Sequence, residues 1–321
     1  MTTAANDIDP RSHFEHEAML YRGPGEFVER AGSFIEEGAS RDEAVLVVVG
    51  ASKLDLLRSS LRPIPPHVAF SDMDTVGRNP ARLIAVWREF ADARHAQGRG
   101  FRGIGEPIFP SRSRDELVEC ERHEALLNLA FHEGPAWRLA CPYDEEALPP
   151  SVIQEARRNH PLVDAGDHVE TSTEFRGLDD IAAPFAAGLD EPTPPVTDWL
   201  GFGLAGLGEV RTLIRRHAAH AGVRTDRIDD AVLAANEIAA NAVEHGSRRA
   251  RVRCWVTERS FICEVTDSGR FDAPLAGRER PSTLQGAGSG FGLWLANQLC
   301  DLVQIRSLAD GSIVRLHIHR V

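Results

Sequence analysis

Two polar side chains four residues apart could hold a magnesium ion beside a phosphate group. Glu237 and Asn241 lie in the stretch DRIDDAVLAANEIAANAVEHG, whose apolar pattern predicts a helix over 226–246. A spacing of four places both side chains on one face of that helix. Magnesium prefers oxygen ligands and keeps several waters, so one amide oxygen suffices, and the carboxylate can orient or deprotonate an attacking hydroxyl. Taken alone, the pair also fits an ordinary solvated helix face.

A carboxylate at the end of a predicted strand could recognise a flat ring that bears an amine. Asp267 ends the strand SFICEVTD, where it can accept a hydrogen bond from an exocyclic amine such as that of adenine. Gly269 follows two residues later and would let the backbone pass close to the ring. An ordinary turn is the competing interpretation of this short sequence.

A glycine-rich stretch precedes the next predicted helix, which starts near Phe291. It reads GAGSGFGL and contains Gly288, Gly290 and Gly292. Backbone N–H groups exposed at a helix N-terminus bind phosphate well, so this stretch could hold the phosphates of a nucleotide. Glycine-rich turns also serve as plain hinges, and one such match is weak on its own.

In their order along the chain, these motifs resemble the GHKL ATPase superfamily, which includes gyrase, histidine kinases and mismatch-repair ATPases. An asparagine-bearing helix, a hairpin ending in Asp-x-Gly, a long loop, the glycine-rich stretch and a final hairpin with Gly311-Ser312 follow one another within 197–321. The resemblance implies the cofactors ATP and Mg²⁺ and a GHKL (Bergerat) α/β sandwich. It assigns the catalytic base to Glu237, magnesium binding to Asn241, the adenine contact to Asp267 with Gly269, phosphate binding to Gly288, Gly290 and Gly292, and support of the adenine pocket to Ser312.

The form NEIAANAVEHG and the short length of this region are most similar to bacterial anti-sigma-factor serine/threonine kinases. That family binds ATP and phosphorylates a serine of an antagonist protein, which implies a sigma factor, its antagonist or both as partners. Phe271 stands where the motif Asp-x-Gly-x-Gly has its second glycine, so a nucleotide-dependent binding switch without catalysis stays open. An atypical sensor histidine kinase also stays open, because His123-Glu124 resembles a phosphoacceptor box, although the downstream proline is absent. A homodimer is a further open alternative.

Ahead of this region, strands and helices alternate, which is typical of a parallel α/β sheet. Predicted strands over 43–50, 68–73, 101–107 and 137–143 are interleaved with predicted helices over 27–37, 53–61, 80–98 and 115–131. The stretches HFEHEAMLYRGPGEFVERAG, RGIGEP and CPYD are similar to the MEDS (methanogen/methylotroph sensory) family, which implies a RecA-like parallel α/β sheet domain over 12–165. Candidate ligand or signal residues there are His16, Tyr21, Glu106, Glu121, His123 and Glu124, with packing of the sheet as their alternative role.

Composition and charge limit the remaining possibilities. Four prolines between 184 and 195 predict a linker over 166–196, which separates the two domains. The formal net charge of −12 argues against general affinity for nucleic acid or an anionic membrane. A polar, acidic N-terminus and the absence of an apolar run of about 18 residues lead us to expect a cytoplasmic protein without a membrane span. The five cysteines include no CxxC pair, so we expect buried, reduced thiols rather than disulfides or a zinc site.

Overall fold

The chain folds into two units, each with its own sheet and apolar core. A computed structural model describes residues 14–166, 168–181, 187–246, 250–271, 273–281 and 290–320, and the contacts divide the chain into 1–182 and 183–321. The proline-rich stretch 166–196, predicted as a linker, spans this boundary. Arg176 donates hydrogen bonds to Glu155 and Asn159 of the N-terminal unit, and Glu191 accepts one from Arg253 of the C-terminal unit.

Seven strands form the sheet of the N-terminal unit. They are β1 (Phe14–Tyr21), β2 (Ala44–Val49), β3 (Val68–Asp72), β4 (Phe101–Gly105), β5 (Trp137–Asp144), β6 (Leu162–Asp164) and β7 (Val169–Thr171). Their order across the sheet is β3-β2-β4-β5-β1-β6-β7, and all neighbours pair in parallel except the antiparallel pair β6 and β7. The sequence AVLVVV of β2 is apolar throughout and almost fully buried, as expected for a parallel strand covered on both faces.

The connecting helices pack in two groups. They are α1 (Gly23–Ser40), α2 (Ala51–Ser60), α3 (Met73–Val76), α4 (Leu83–His95), α5 (Arg114–Ala130) and α6 (Pro150–Asn159). Helix α1 contacts α2, whereas α5 contacts both α4 and α6. Because side chains alternate along a strand, Met19 and Tyr21 of β1 enter the core that includes Phe27 and Ile35 of α1, whereas His16 points to the other face and reaches Asn128 of α5.

The C-terminal unit is a sheet with helices on one face. Its strands are β8 (Leu200–Phe202), β9 (Ala250–Val256), β10 (Ser260–Asp267), β11 (Leu302–Leu308) and β12 (Gly311–His319), and they pair antiparallel in the order β11-β12-β10-β9-β8. The helices are α7 (Leu207–His220), α8 (Thr225–Glu244) and α9 (Phe291–Leu299). Helix α8 contacts α7, α9, β10 and β12, and alternate strand residues such as Val252, Val265 and Val314 form the core beneath it. The predicted fold class, a parallel α/β domain followed by an α/β sandwich, is confirmed.

The sheet face opposite α8 carries a buried cluster of charges. Glu264 of β10 accepts hydrogen bonds from Arg253 of β9 at 2.7 Å and from Arg315 of β12 at 2.8 Å. The Arg253 guanidinium lies 4.3 Å from the ring centre of Trp199, and Arg315 also donates to the backbone carbonyl of Asp190. The segment 187–199 therefore covers this face, and the predicted site residues lie on the face that α8 covers.

Candidate functional site

The predicted magnesium pair lies where two helices meet. Glu237 and Asn241 are half-buried on α8, and the buried Gly292 in the first turn of α9 packs against both. A Cβ atom added at Gly292 would lie 2.7 Å from Asn241 Nδ2 and 3.4 Å from Glu237 Cβ. Only a glycine lets α9 begin this close to the pair. The structure thus brings Gly292 next to Glu237 and Asn241, although Gly292 lies 55 positions after Glu237 in the sequence.

The first turn of α9 has the features of a phosphate-binding helix end. Gly290 precedes the helix with φ +82°, a left-handed conformation that favours glycine, and none of the side chains that the structure describes caps the helix there. The first N–H groups of a helix have no partner within the helix, so these can donate to an anion. Gly288, the third predicted phosphate-binding glycine, lies outside the described residues.

The Asp267 carboxylate is held in place by two hydrogen bonds. Strands β10 and β12 pair with Asp267 opposite Ser312, and the Ser312 hydroxyl donates to Asp267 Oδ2 at 2.6 Å. The Gly269 N–H donates to Asp267 Oδ1 at 2.5 Å. A carboxylate offers about four lone-pair positions, so two remain to accept hydrogen bonds from a ligand amine. The structure therefore joins Asp267, Gly269 and Ser312 into one group.

Close glycine contacts place this group beside the end of α8. A Cβ atom added at Gly246 would lie 2.2 Å from Asp267 Oδ1, and one added at Gly269 would lie 2.9 Å from the Cα of Gly246. The sequence predicts Gly246 only as the last residue of the helix over 226–246 and does not reveal this contact. Since Gly246 follows Asn241 by little more than one helical turn, the acidic strand end lies close to the predicted magnesium pair.

The residue that departs from the Asp-x-Gly-x-Gly pattern is anchored to the sheet. The Phe271 N–H donates to the Ser307 hydroxyl of β11 at 3.1 Å, and the partly buried ring packs against the apolar core. Ser307 pairs directly with Ser312, so Phe271 lies at the same end of the sheet as Asp267. Further along the loop, Asn297 of α9 donates to the Gly277 carbonyl at 2.8 Å. The described parts of the loop are thus tied to both β11 and α9.

A cavity of about 480 Å³ borders the acidic strand end. Asp267 and Ser312 line part of it. Its other lining residues include Arg251, Thr266 and Ile313, which alternate with core residues and therefore face away from α8. Neither Glu237 nor Asn241 lines this cavity, which lies at the end of the sheet and on the face opposite α8.

In the N-terminal unit, two candidate residues meet at the carboxyl edge of the parallel sheet. The Tyr21 hydroxyl at the end of β1 donates to Glu106 Oε1 at 2.9 Å, just after β4, and Lys53 of α2 contacts both. Burial raises the pKa of Glu106, and Lys53 acts in the opposite direction. Sequence reasoning did not select Lys53, although it is the only lysine of the chain. Ligands of open α/β sheets bind at this edge, so the group is a candidate ligand contact.

The other N-terminal candidates lie on or against α5. His16 and Glu124 are fully buried and 3.2 Å apart, and burial together with the neighbouring His160 lowers the pKa of His16 to about 4. His123 is also buried. Burial, with a contribution from Glu155, raises the pKa of Glu121 to about 7. The buried His16, His123 and Glu124 are therefore not available to a ligand arriving at the sheet edge.

All five cysteines are free, as the sequence predicts. Cys120, Cys141, Cys263 and Cys300 are buried, and Cys254 is partly buried. Among the helices that the structure describes, none has both the length and the apolar character needed to cross a membrane.

Comparison with protein families accounts for most of the chain. Residues 15–161 match the family model of MEDS, the MEthanogen/methylotroph, DcmR Sensory domain. Residues 203–318 match the model of the histidine kinase-like ATPase domain. No curated protein matches the chain. The chain thus consists of an N-terminal MEDS sensory domain followed by a C-terminal histidine kinase-like ATPase domain, the pairing expected of a signalling regulator that binds ATP.

Proposed function

We propose that the chain is a cytoplasmic regulator whose C-terminal domain binds ATP with Mg²⁺ and acts as an anti-sigma-factor-type serine/threonine kinase under control of the MEDS domain. The observation that supports ATP binding best is the Asp267 carboxylate, which Ser312 and Gly269 orient while two of its acceptor positions stay available. An adenine amine could donate to those positions. The partner is a sigma factor, its antagonist or both, and the chain acts on it without direct contact to nucleic acid or membrane.

In the rest of the site, helix α8 would bind the magnesium ion and helix α9 would bind the phosphates. The Asn241 amide oxygen would hold Mg²⁺, which neutralises the phosphate charge that develops during transfer. The uncapped N–H groups after Gly290 would bind the phosphates. Glu237 lies one helical turn before Asn241 and would accept the proton of the attacking serine hydroxyl.

Calorimetric titration of the full chain with ATP and Mg²⁺ tests nucleotide binding. We expect Asn241→Ala to weaken magnesium-dependent ATP binding at least tenfold, because the metal loses its protein ligand. Asn236→Ala is the matched control, since Asn236 lies on the same helix but bonds to the exposed Arg211. Absence of ATP binding by the wild-type chain would remove the whole proposal.

Phosphoryl transfer is tested with γ-labelled ATP and a serine-bearing antagonist protein of the anti-sigma type. Glu237→Gln should retain ATP binding and lower the transfer rate about 100-fold or more, because the general base is lost. Glu244→Gln, at the exposed end of the same helix, is the control and should transfer normally. An unchanged rate in Glu237→Gln would exclude Glu237 as the base.

The second candidate function is a nucleotide-dependent binding switch without catalysis. Phe271 favours it, because a bulky side chain lies at the same end of the sheet as Asp267, at a position where the motif has glycine. Tight ATP binding that alters affinity for the partner, with no labelled product, would select this function over the kinase.

A histidine kinase is disfavoured by the position of its only sequence candidate. His123 is 1% exposed within α5 of the sensory domain, so its ring is not accessible to a phosphoryl donor. Acid-labile autophosphorylation of the chain would nevertheless be the signature of this third alternative.

A further inference from the structure

Four side chains with the chemistry of metal ligands meet inside the MEDS domain. They are His16 of β1, Glu124 of α5, Cys141 of β5 and His160 at the end of α6. All four are at most 1% exposed, and one potential ligand atom from each lies within 4.8 Å of the others. Each residue comes from a different element, so the cluster exists only because the sheet and both helices are assembled.

Three of the distances within the cluster are close to those of a tetrahedral metal site. Two atoms bound to zinc at about 2.1 Å with tetrahedral angles lie about 3.4 Å apart. In the structure, Glu124 Oε2 lies 3.2 Å from His16 Nε2 and 3.1 Å from His160 Nε2. Cys141 Sγ lies 3.4 Å from His16 Nε2. Small shifts of these side chains would bring all four ligand atoms to the distances that an ion at the centre requires.

The hydrogen bonds of the first histidine determine which of its nitrogens faces the cluster. Asn128 uses its Nδ2 group to donate to the backbone carbonyls of Glu124, Ala125 and Asn159, so its Oδ1 is the acceptor. His16 Nδ1 lies 3.1 Å from that oxygen and must carry the proton. The Nε2 lone pair of neutral His16 therefore points at Glu124 and Cys141.

The second histidine is oriented in the same way. His160 Nδ1 lies 2.8 Å from the Ala156 carbonyl oxygen, which can only accept, so Nδ1 carries the proton here too. Its Nε2 is buried and has no hydrogen-bond partner among the described residues. The buried Tyr143 hydroxyl also lacks one, and its ring lies 5.6 Å from that of His160. Two imidazole lone pairs thus converge on one carboxylate oxygen, and the Cys141 thiol, 3.4 Å from His16 Nε2, is the proton donor that the described residues place beside them.

We propose that His16, Glu124, Cys141 and His160 form a closed binding site for one divalent transition-metal ion. Imidazole nitrogen, thiolate and carboxylate in a tetrahedral set suit Zn²⁺, and four protein ligands without solvent access are typical of a structural zinc site. The Nδ1 bonds to Asn128 and to the Ala156 carbonyl are the outer contacts that orient metal-binding histidines. The ion would join β1 and β5 of the sheet to α5 and α6.

Cobalt and zinc titrations of the full chain test this site. After metal removal, Co²⁺ should give a thiolate-to-cobalt absorption band that saturates at about one equivalent and disappears when Zn²⁺ is added. Cys141→Ser should abolish the band and weaken Zn²⁺ binding at least about 100-fold, since a ligand is lost. Cys120→Ser is the matched control, because Cys120 is buried in the same domain but donates to the Pro107 carbonyl instead.

Metal content after purification without chelators gives a second readout that does not require refolding. We expect about one zinc per chain in the wild type and in Cys120→Ser, and loss of it in His160→Gln. A chain with native circular dichroism that holds no metal and gives no cobalt band would overturn the proposal. So would a stoichiometric metal that is retained in both Cys141→Ser and His160→Gln, since it would then be bound elsewhere.

Discussion

At the scale of single residues, the Asp267 carboxylate is held in one orientation by its neighbours. It accepts hydrogen bonds from the Ser312 hydroxyl and the Gly269 N–H, and these bonds fix its orientation at the end of β10. Each bond contributes about 1 kcal/mol, so the carboxylate is positioned before any ligand arrives. A pre-oriented acceptor avoids the entropy cost of ordering a side chain on binding. This is the physical basis for proposing Asp267 as the specificity-determining contact.

A second acidic residue, Glu121 of α5, should make the sensory domain sensitive to pH. Burial and the nearby Glu155 raise its pKa to about 7, although Arg176 opposes the shift. The folded state binds a proton at the Glu121 carboxylate more tightly than the unfolded chain does. Protonation of Glu121 therefore stabilises the fold fully below the unfolded pKa, and this stabilisation is lost as the pH rises through about 7. The Glu121→Gln variant carries no such charge. It should therefore exceed the wild type in unfolding free energy by up to about 3 kcal/mol above that pH, with little difference at low pH.

Hydrogen exchange of the β1 and β5 amides in the full chain measures this difference as a function of pH. Glu133→Gln, at an exposed position of the same domain, should leave exchange unchanged throughout. Equal protection of wild type and Glu121→Gln at pH values above the shifted pKa would contradict the prediction.

At the scale of elements, the close contact between α8 and α9 depends on Gly292, which has no side chain. A Cβ atom at Gly292 would approach Asn241 Nδ2 to 2.7 Å, so Gly292→Ala must displace either the Asn241 side chain or the start of α9. We expect ATP affinity to fall about tenfold, because the proposed metal ligand and the proposed phosphate-binding turn would lose their relative position. Titration calorimetry with ATP and Mg²⁺ measures the change.

The control for this substitution is Gly208→Ala in the first turn of α7. A Cβ atom at Gly208 would meet nothing closer than Arg211 Nη2 at 3.8 Å, so alanine fits there and should preserve ATP affinity. Alanine also has the higher helix propensity, and Gly208→Ala should be neutral or slightly stabilising. If both variants bound ATP as the wild type does, the close approach of α9 to Asn241 would not matter for binding.

Elements with clear apolar periodicity could be predicted from the sequence, whereas β1 could not. Helix α8 and the hairpins β9–β10 and β11–β12 carry regular patterns over most of their lengths. In contrast, β1 reads FEHEAMLY and places His16 and Glu17 in the interior. Glu17 is compensated by Arg138, 121 positions further along the chain, and local sequence contains no sign of such a partner.

The residues of the candidate sites could likewise be predicted only where the local sequence contains a motif. The motif order indicated Glu237, Asn241 and Asp267, because each stands in a short stretch with a recognisable spacing. The contact of Gly246 with Asp267 depends on how α8 meets the sheet, so no spacing reveals it. The absence of CxxC pairs argued against a zinc site, yet Cys141 is brought to its neighbours by tertiary structure alone.

At the scale of the whole molecule, the two units have separate apolar cores. One core surrounds Phe27 and Val47 of the N-terminal sheet, and the other surrounds Ala235 and Val265 of the C-terminal sheet. A ligand that binds one folded unit stabilises that unit by an amount set by its concentration and affinity. Stability measurements resolved along the chain can therefore report which unit binds ATP.

Saturation with ATP and Mg²⁺ should protect the C-terminal unit selectively. At a concentration 100-fold above the dissociation constant, binding adds about 2.7 kcal/mol to the free energy of unfolding. Hydrogen exchange of the full chain should show this gain in peptides from α8, β10 and β12, because these elements carry Asn241, Asp267 and Ser312. Asp267→Asn should remove most of the gain, since an amide offers one acceptor oxygen in place of two. Equal protection of β2 and β10 by ATP would contradict a site confined to the C-terminal unit, and no protection of β10 would contradict the site itself.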